Sequence, residues 1–159
     1  PGLILASPFL RAQATALATA AIYPSAAFET WPIQEFTYLA PERCVDTTLA
    51  QRRDWVEAYW ERSDPAFSDG EGAESFIDLV TRARAFLERL AEQSASDIVV
   101  FSHGQVMNTV RWLLKEKPQE IDSRAMLDWR QYEMANHLSN CQGFSISKKC
   151  DGQPWALSQ

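Results

Sequence analysis

The stretch IVVFSHGQVMNTVRWLL, residues 98–114, decides the fold of this chain. Its four leading apolar residues predict a buried strand, and the apolar positions after Gly104 recur at helical spacing. His103 therefore stands where a strand ends and a helix begins. The sequence contains only two histidines, so the position of this one is informative.

Outward from this stretch, predicted strands and helices alternate. Residues 3–7 predict a short buried strand, followed by a helix with Ser7 as N-cap and Pro8 at its first position. Residues 22–36 read as loop and extended chain. The remaining elements are helices over 46–63, 73–93, 104–117 and 123–135, and late strands over 141–149 and 154–158 that suggest a hairpin. The alternation predicts a single α/β domain over residues 1–159 with a mostly parallel sheet.

Composition narrows the range of partners. The chain has 159 residues and a net charge of −6, which disfavours nucleic acid or an anionic membrane as the main partner. Three widely spaced cysteines without a C-x-x-C pair favour a reduced, cytoplasmic protein. Two distant histidines and scattered cysteines do not supply the clustered ligands of a zinc site, and no cofactor or metal is predicted.

The two strand-to-helix junctions predict an anion site. His103 lies at the carboxyl end of a strand, and Gly104 leaves open the approach to the free N–H groups of the next helix. Arg11 lies in the first turn of the helix after the first strand, where its guanidinium could bind the same anion through two hydrogen bonds. Phosphate suits this pair. Alternatively, His103 only forms a hydrogen bond to a loop, and Arg11 is a solvent-exposed helix residue with no ligand.

Five stretches, in order, resemble the histidine phosphatases, the phosphoglycerate mutase-like superfamily. SPFLRAQATA (7–16) is similar to its Ser-Pro-x-x-Arg-Ala-x-x-Thr-Ala segment, and VVFSHGQVMNTV (99–110) to its second histidine segment. The others are IQEFTYL (33–39), GEGAESFIDLVTRARAFLERL (70–90) and HLSNCQGFSIS (137–147). The resemblance extends from residue 3 to about 148 and implies a three-layer α/β/α sandwich of the phosphoglycerate mutase type.

One part of the family pattern is missing. The family begins with Arg-His-Gly at the end of its first strand, and that histidine takes the phosphoryl group; this sequence contains no Arg-His-Gly. Either the N-terminal segment lies outside this sequence, or the nucleophile has been lost. We expect the former, because loss of a central strand would leave buried backbone groups without partners.

The resemblance implies a phosphatase that hydrolyses a small phosphomonoester through a phosphohistidine. Arg11, His103 and Gly104 would bind the phosphoryl group, with His103 protonated beside the anion. Glu35 would be the general acid and base, and burial among its aromatic neighbours would raise its pKa. Phe36, Tyr38 and Leu39 would wall the substrate pocket. Residues 1–159 alone, without the nucleophile, should show little or no turnover.

Two other functions stay open. One is a non-catalytic phosphate-binding or interaction module on the same fold. The other is a phosphotransferase of the phosphoglycerate mutase type, although the short span from Ala40 to Asp69 favours a phosphatase, because mutases of the family usually carry longer insertions.

Overall fold

The computed structural model describes residues 1–148 and 153–158; Cys150 and the late-strand residue Lys149 lie outside the described residues. The elements, in chain order, are β1 (Leu3–Ala6), α1 (Leu10–Ile22), β2 (Ala27–Thr30), α2 (Pro41–Cys44), α3 (Leu49–Arg62), α4 (Phe76–Ala91), β3 (Ile98–Phe101), α5 (Gly104–Glu116), α6 (Ser123–Ala135), β4 (Ser145–Ser147) and β5 (Ala156–Ser158). This order of strands and helices is that of an α/β protein.

β1 occupies the centre of a three-stranded parallel sheet with the order β2-β1-β3. Leu3 pairs with Ala27 on one side and with Ile98 on the other, and both registers continue to Ala6. All four residues of β1 are buried, as expected for a parallel strand covered on both faces. The three carboxyl ends lie at one edge of the sheet, and His103 follows shortly after β3.

Helices cover both faces of this sheet. Ile4 packs with Ala16 of α1 on one face, whereas Leu3 and Leu5 pack with Leu90 of α4 on the other. The alternation follows from strand geometry, in which successive side chains point to opposite faces. The predicted α/β/α sandwich with a parallel sheet is confirmed.

The largest apolar core in the described part of the chain lies among α3 to α6. The indole rings of Trp60 and Trp129 stack there with centroids 5.6 Å apart, and Trp129 donates a hydrogen bond to Thr109 at 3.1 Å. An apolar stripe on α4 faces this core; its buried members there are Phe76, Leu79, Val80 and Ala83. Burial of this stripe fixes α4 beside α5.

One local prediction is wrong. α1 has Phe9 as its N-cap, without a side-chain cap, so Ser7 does not cap this helix. Ser7 is instead fully buried at the edge of the sheet. Within residues 22–36, predicted as loop and extended chain, residues 27–30 form strand β2, which is defined by its parallel pairing with β1. The predicted hairpin is confirmed, since β4 and β5 pair antiparallel.

Two further features concern the described residues alone. No helix within 1–148 and 153–158 has the length and apolar character needed to cross a membrane. In the same ranges, no three His, Cys, Asp or Glu side chains are grouped in a way that could hold a metal ion. Cys44 and Cys141 are free thiols.

Candidate active site

The candidate site lies at the carboxyl edge of the sheet, where β1 and β3 end side by side. The N–H of Ser7 donates to the carbonyl of Phe101 at 2.9 Å, which joins the two strand ends. Ser7 follows β1 directly, and His103 follows β3 after one residue. Ligands of parallel α/β sheets bind at this edge.

Arg11 and Ser7 bind the two nitrogens of the His103 ring. Arg11 Nε donates to His103 Nδ1 at 3.2 Å. Because an arginine only donates, Nδ1 has no proton, and the neutral ring carries its proton on Nε2. Nε2 lies 2.7 Å from Ser7 Oγ, which also accepts from the N–H of Phe9 at 3.2 Å. These contacts fix the tautomer and the orientation of the ring.

Burial and positive charge both disfavour protonation of His103. The residue is 7% exposed. Loss of water is the main cause of a shift that lowers the pKa to about 4, and the guanidinium groups of Arg11 and Arg82 add to it. The family resemblance implies a protonated imidazole beside an anion. The structure holds a neutral one, so protonation has to accompany anion binding.

Phe9 contacts both Arg11 and His103. Its ring meets that of His103 edge-on, with centroids 5.2 Å apart, and Arg11 Cζ lies 5.0 Å from the centroid of the same ring. A guanidinium over an aromatic face is an attractive cation–π contact. Phe9 therefore helps to hold Arg11 beside His103, a role that the sequence did not predict for it.

Glu35 lies in the irregular segment between β2 and α2 and reaches the N-terminus of α5. Its Oε1 accepts from the N–H of Gln105 at 3.2 Å and from the N–H of Phe36 at 3.1 Å. Burial raises the pKa of this carboxyl above its usual 4.5, although backbone amides and the charge of Arg11 act in the opposite direction. The direction of this shift is the one predicted, and it is the direction that an acid/base role would need.

Gly104 begins α5 directly after His103. The free N–H groups of this helix end are predicted to face an anion, and the structure shows that the Glu35 carboxylate binds the one on Gln105. A Cβ on Gly104 would first meet the carbonyl oxygen of Leu138, at 3.8 Å, which is an ordinary contact. Glycine is therefore not required at position 104 to avoid a steric clash. Its lack of a side chain leaves open space next to His103.

The four residues predicted from the sequence thus lie at one edge of the sheet. Arg11 contacts His103, Gly104 follows His103, and Glu35 is bonded to the residue after Gly104. Ser7 belongs to the same group but was assigned to helix capping. The sequence did contain a signal for a site role, because Ser7 is the first residue of the Ser-Pro-x-x-Arg stretch. It was missed because a serine before a helix can be either an N-cap or a site residue.

The aromatic residues predicted to wall the substrate pocket pack into the core instead. Phe36 is 4% exposed, and its ring lies within 6.4 Å (centroid to centroid) of the rings of Tyr59, Trp60 and Trp129. Tyr38 packs on Tyr59 with centroids 4.9 Å apart. By packing into this core, these rings anchor the segment that carries Glu35.

A groove of about 870 Å³ follows the other side of β3. In the described sheet β3 pairs with β1 alone, so its second side has no partner strand. The lining comes from β3 and β4 and from the apolar faces of α4 and α5, and it includes Val99, Val100, Val106, Met107, Val110, Phe86, Leu90, Ile146 and Trp155. Val99 is 37% exposed there, although the strand consists of apolar residues.

Comparison with solved structures shows the same fold. A mycobacterial glucosyl-3-phosphoglycerate phosphatase is 20% identical with a TM-score of 0.70, over 99% of this chain and 76% of that one. Two structures described as mycobacterial hydrolases 1 and 2 are 18% and 19% identical with TM-scores of 0.64 and 0.69; each covers 100% of this chain, against 76% and 70% of their own.

No curated protein sequence matches the chain at a significant level. A family model does match: that of the histidine phosphatase superfamily (branch 1), over residues 1–136. The match includes β1, β3 and every predicted site residue. The chain belongs to the histidine phosphatase superfamily.

Proposed function

We propose that this chain forms the phosphate-binding and acid/base part of a phosphatase that hydrolyses a small phosphomonoester through a phosphohistidine. The observation that carries the proposal is the contact between Arg11 Nε and His103 Nδ1, 3.2 Å long, at the ends of parallel strands. A cationic side chain and an imidazole held together at this edge are suited to a phosphoryl group. Membership of the superfamily supports the same reaction.

The nucleophilic histidine lies on a segment outside residues 1–159, in an Arg-His-Gly sequence at the end of a strand. That strand adds to the free side of β3 and fills the groove beside it. Two observations support this placement: the open side of β3, and the groove beside it, whose lining includes apolar residues of α4 and α5. A parallel strand there would end beside His103.

The reaction then takes two steps. The nucleophilic imidazole attacks phosphorus, the N–P bond forms, and the P–O bond to the leaving alkoxide breaks as Glu35 donates its proton to that oxygen. Water attacks the phosphohistidine, Glu35 takes a proton from the water, and the N–P bond breaks to release inorganic phosphate. Glu35 ends as it began, and its raised pKa suits both transfers.

Arg11, His103 and Gly104 bind the phosphoryl oxygens in this scheme. The anion takes the place of the Arg11–His103 hydrogen bond, so that both side chains point at phosphate oxygens. His103 becomes protonated as the anion arrives, since a neighbouring negative charge favours the imidazolium. Cationic donors fixed at this position stabilise the charge that spreads over the oxygens in the transition state.

A non-catalytic phosphate-binding module is the second candidate. The Arg11–His103 pair favours it equally, because binding needs this pair and not the nucleophile. A phosphotransferase of the mutase type would use the same site. Its product would be a second phosphomonoester and not inorganic phosphate.

The test is a phosphomonoester panel assayed with the full-length protein that carries the Arg-His-Gly strand. The panel includes sugar phosphates, phosphoglycerates and glucosyl-3-phosphoglycerate. We expect release of inorganic phosphate and an acid-labile phosphoenzyme trapped by rapid quenching. Residues 1–159 alone should bind inorganic phosphate without turnover.

Three results would contradict the proposal. Robust hydrolysis by residues 1–159 would place the nucleophile elsewhere. Phosphate binding without hydrolysis by the full-length protein would favour the binding module. Transfer to an added acceptor without release of phosphate would favour the mutase. His103→Ala in the full-length protein should lower turnover at least about a hundredfold, the usual loss of one preorganised donor.

A further inference from the structure

The segment that carries Glu35 has no regular structure of its own. Residues 31–39 form neither helix nor strand, so their backbone groups need partners from elsewhere. Ser102 Oγ supplies one by donating to the carbonyl of Ile33 at 2.8 Å. The segment is thereby joined to the residue that precedes His103.

Arg82 of α4 supplies the partners on one side of Glu35. Its Nη1 donates to the carbonyl of Gln34 at 2.9 Å and to that of Pro32 at 3.2 Å. A guanidinium can bridge two carbonyls because its N–H groups point in fixed directions within one plane. The backbone just before Glu35 is therefore held against α4.

Glu74 supplies the partners on the other side. The Glu74 N–H donates to the carbonyl of Thr37 at 2.8 Å, and the Glu74 carboxylate accepts from the Thr37 N–H at 3.3 Å. Thr37 is two residues after Glu35. The backbone on both sides of Glu35 is thus held by one pair of residues, through the Arg82 side chain and through the main chain and carboxylate of Glu74.

Arg82 and Glu74 also bind each other through two parallel hydrogen bonds. Arg82 Nε lies 2.8 Å from Glu74 Oε1, and Nη2 lies 2.7 Å from Oε2. The side chains are only 13% and 20% exposed. A bidentate pair with this little exposure has a defined geometry, and loss of either partner leaves a poorly solvated charge.

We propose that Arg82 and Glu74 are positioning residues that hold the Glu35 carboxyl group at the N-terminus of α5. This inference rests on the proposed acid/base role of Glu35. Neither residue touches the reacting atoms; they act through the backbone of residues 32–37. The cationic Arg82 also disfavours protonation of His103, so the pair affects both sides of the site.

The test compares Arg82→Lys and Glu74→Gln with Arg84→Lys in the full-length protein. Lysine keeps the charge but cannot bridge Glu74 and two carbonyls, and glutamine keeps the shape of Glu74 without its charge. Arg84 lies on the same helix and donates to the carbonyl of Pro118, far along the chain from Glu35, so it is the matched control.

We expect each change in the pair to lower kcat about 10–100-fold while KM stays within about threefold, since substrate contacts are untouched. The pH–rate profile should shift as well, because a loosened Glu35 gains water and its pKa falls toward 4.5. Arg84→Lys should change neither. Unchanged kcat and pH profile in both pair variants would overturn the inference.

Two measurements do not depend on turnover and separate this inference from the proposed function. One is the NMR titration of the Glu35 carboxyl carbon, and the other is the amide shift of Gln105, which donates to that carboxyl. The titration midpoint of Glu35 and the amide chemical shift of Gln105 should both change in Arg82→Lys and remain unchanged in Arg84→Lys. This holds even if no phosphomonoester is hydrolysed. If both signals stay in place in Arg82→Lys, the pair does not position Glu35.

Discussion

Arg11 Nε lies 3.2 Å from His103 Nδ1 although 92 positions separate the two residues in sequence. The contact holds a guanidinium against the unprotonated nitrogen of a neutral ring. It also leaves the imidazole ready to gain a proton on that nitrogen once Arg11 moves to an anion. The first two predictions follow from this relationship.

Phosphate binding should take up a proton at His103. The pKa of the free ring is about 4, and a bound dianion raises it, so the complex holds more protons than the free protein. Affinity for the phosphate dianion, after correction for the titration of phosphate itself, should therefore rise as the pH falls. Calorimetry in buffers of different ionisation enthalpy should show an uptake of up to about one proton. His103→Gln should lose this uptake; equal values in both proteins would contradict the prediction.

His103 should also make the folded state less stable in acid. The pKa in the folded chain is about 4, below the usual 6.5, so between these values the unfolded chain binds more protons. The stability contributed by the neutral ring is present above about pH 6.5 and is lost as the pH falls to about 4, by at most about 3 kcal/mol. Unfolding by urea at several pH values measures it. The free energy of unfolding of wild type minus that of His103→Gln should become smaller, or change sign, as the pH falls. A difference that stays constant with pH would contradict the prediction.

Glu35→Gln should separate activity from stability. We expect turnover to fall at least about a hundredfold, because the amide can neither donate a proton to the leaving group nor take one from water. Phosphate binding should remain. Burial raises the pKa of Glu35, so its ionised form costs stability at neutral pH, and the neutral amide should raise the melting temperature. Retained activity or a lower melting temperature would contradict this account.

Ser7→Ala should weaken both the fold and the site. Ser7 is fully buried, and its hydroxyl joins the Phe9 N–H to the His103 ring. Removing it leaves the buried His103 Nε2–H and the partly buried Phe9 N–H without this acceptor, at a cost of about 1–3 kcal/mol. Denaturant unfolding gives the stability loss, and kcat in the full-length protein should fall as well. Ser96→Ala, at an exposed position, is the control and should change neither.

Much of the fold was predictable because its helices carry strong local patterns. α4 has a continuous apolar stripe, and α6 runs from Ser123 to Ala135, the bounds that the sequence predicted. β2 was not predictable in this way. Its four residues are only partly apolar, and they become a strand because β1 pairs with them. Pairing between distant segments leaves no periodic trace in a single sequence.

Part of the site was predictable from side-chain type at strand ends, whereas Glu35 was predicted from the family resemblance alone. His103 and Arg11 follow strands, so topology alone brings them to one edge. The contacts of Arg82 and Glu74 were not foreseen, since charged residues within a helix or just before it look like solvated ones. Their contacts go to the backbone of a distant irregular segment, which no local pattern encodes.

The groove beside β3 has a consequence for handling of the protein. Val99 and its neighbours present an apolar strand whose outer backbone groups are free to pair. An open, β-branched edge of this kind is a template for the same edge of another molecule. Residues 1–159 by themselves should therefore self-associate with rising concentration, and a charged residue in place of Val99 should keep them monomeric.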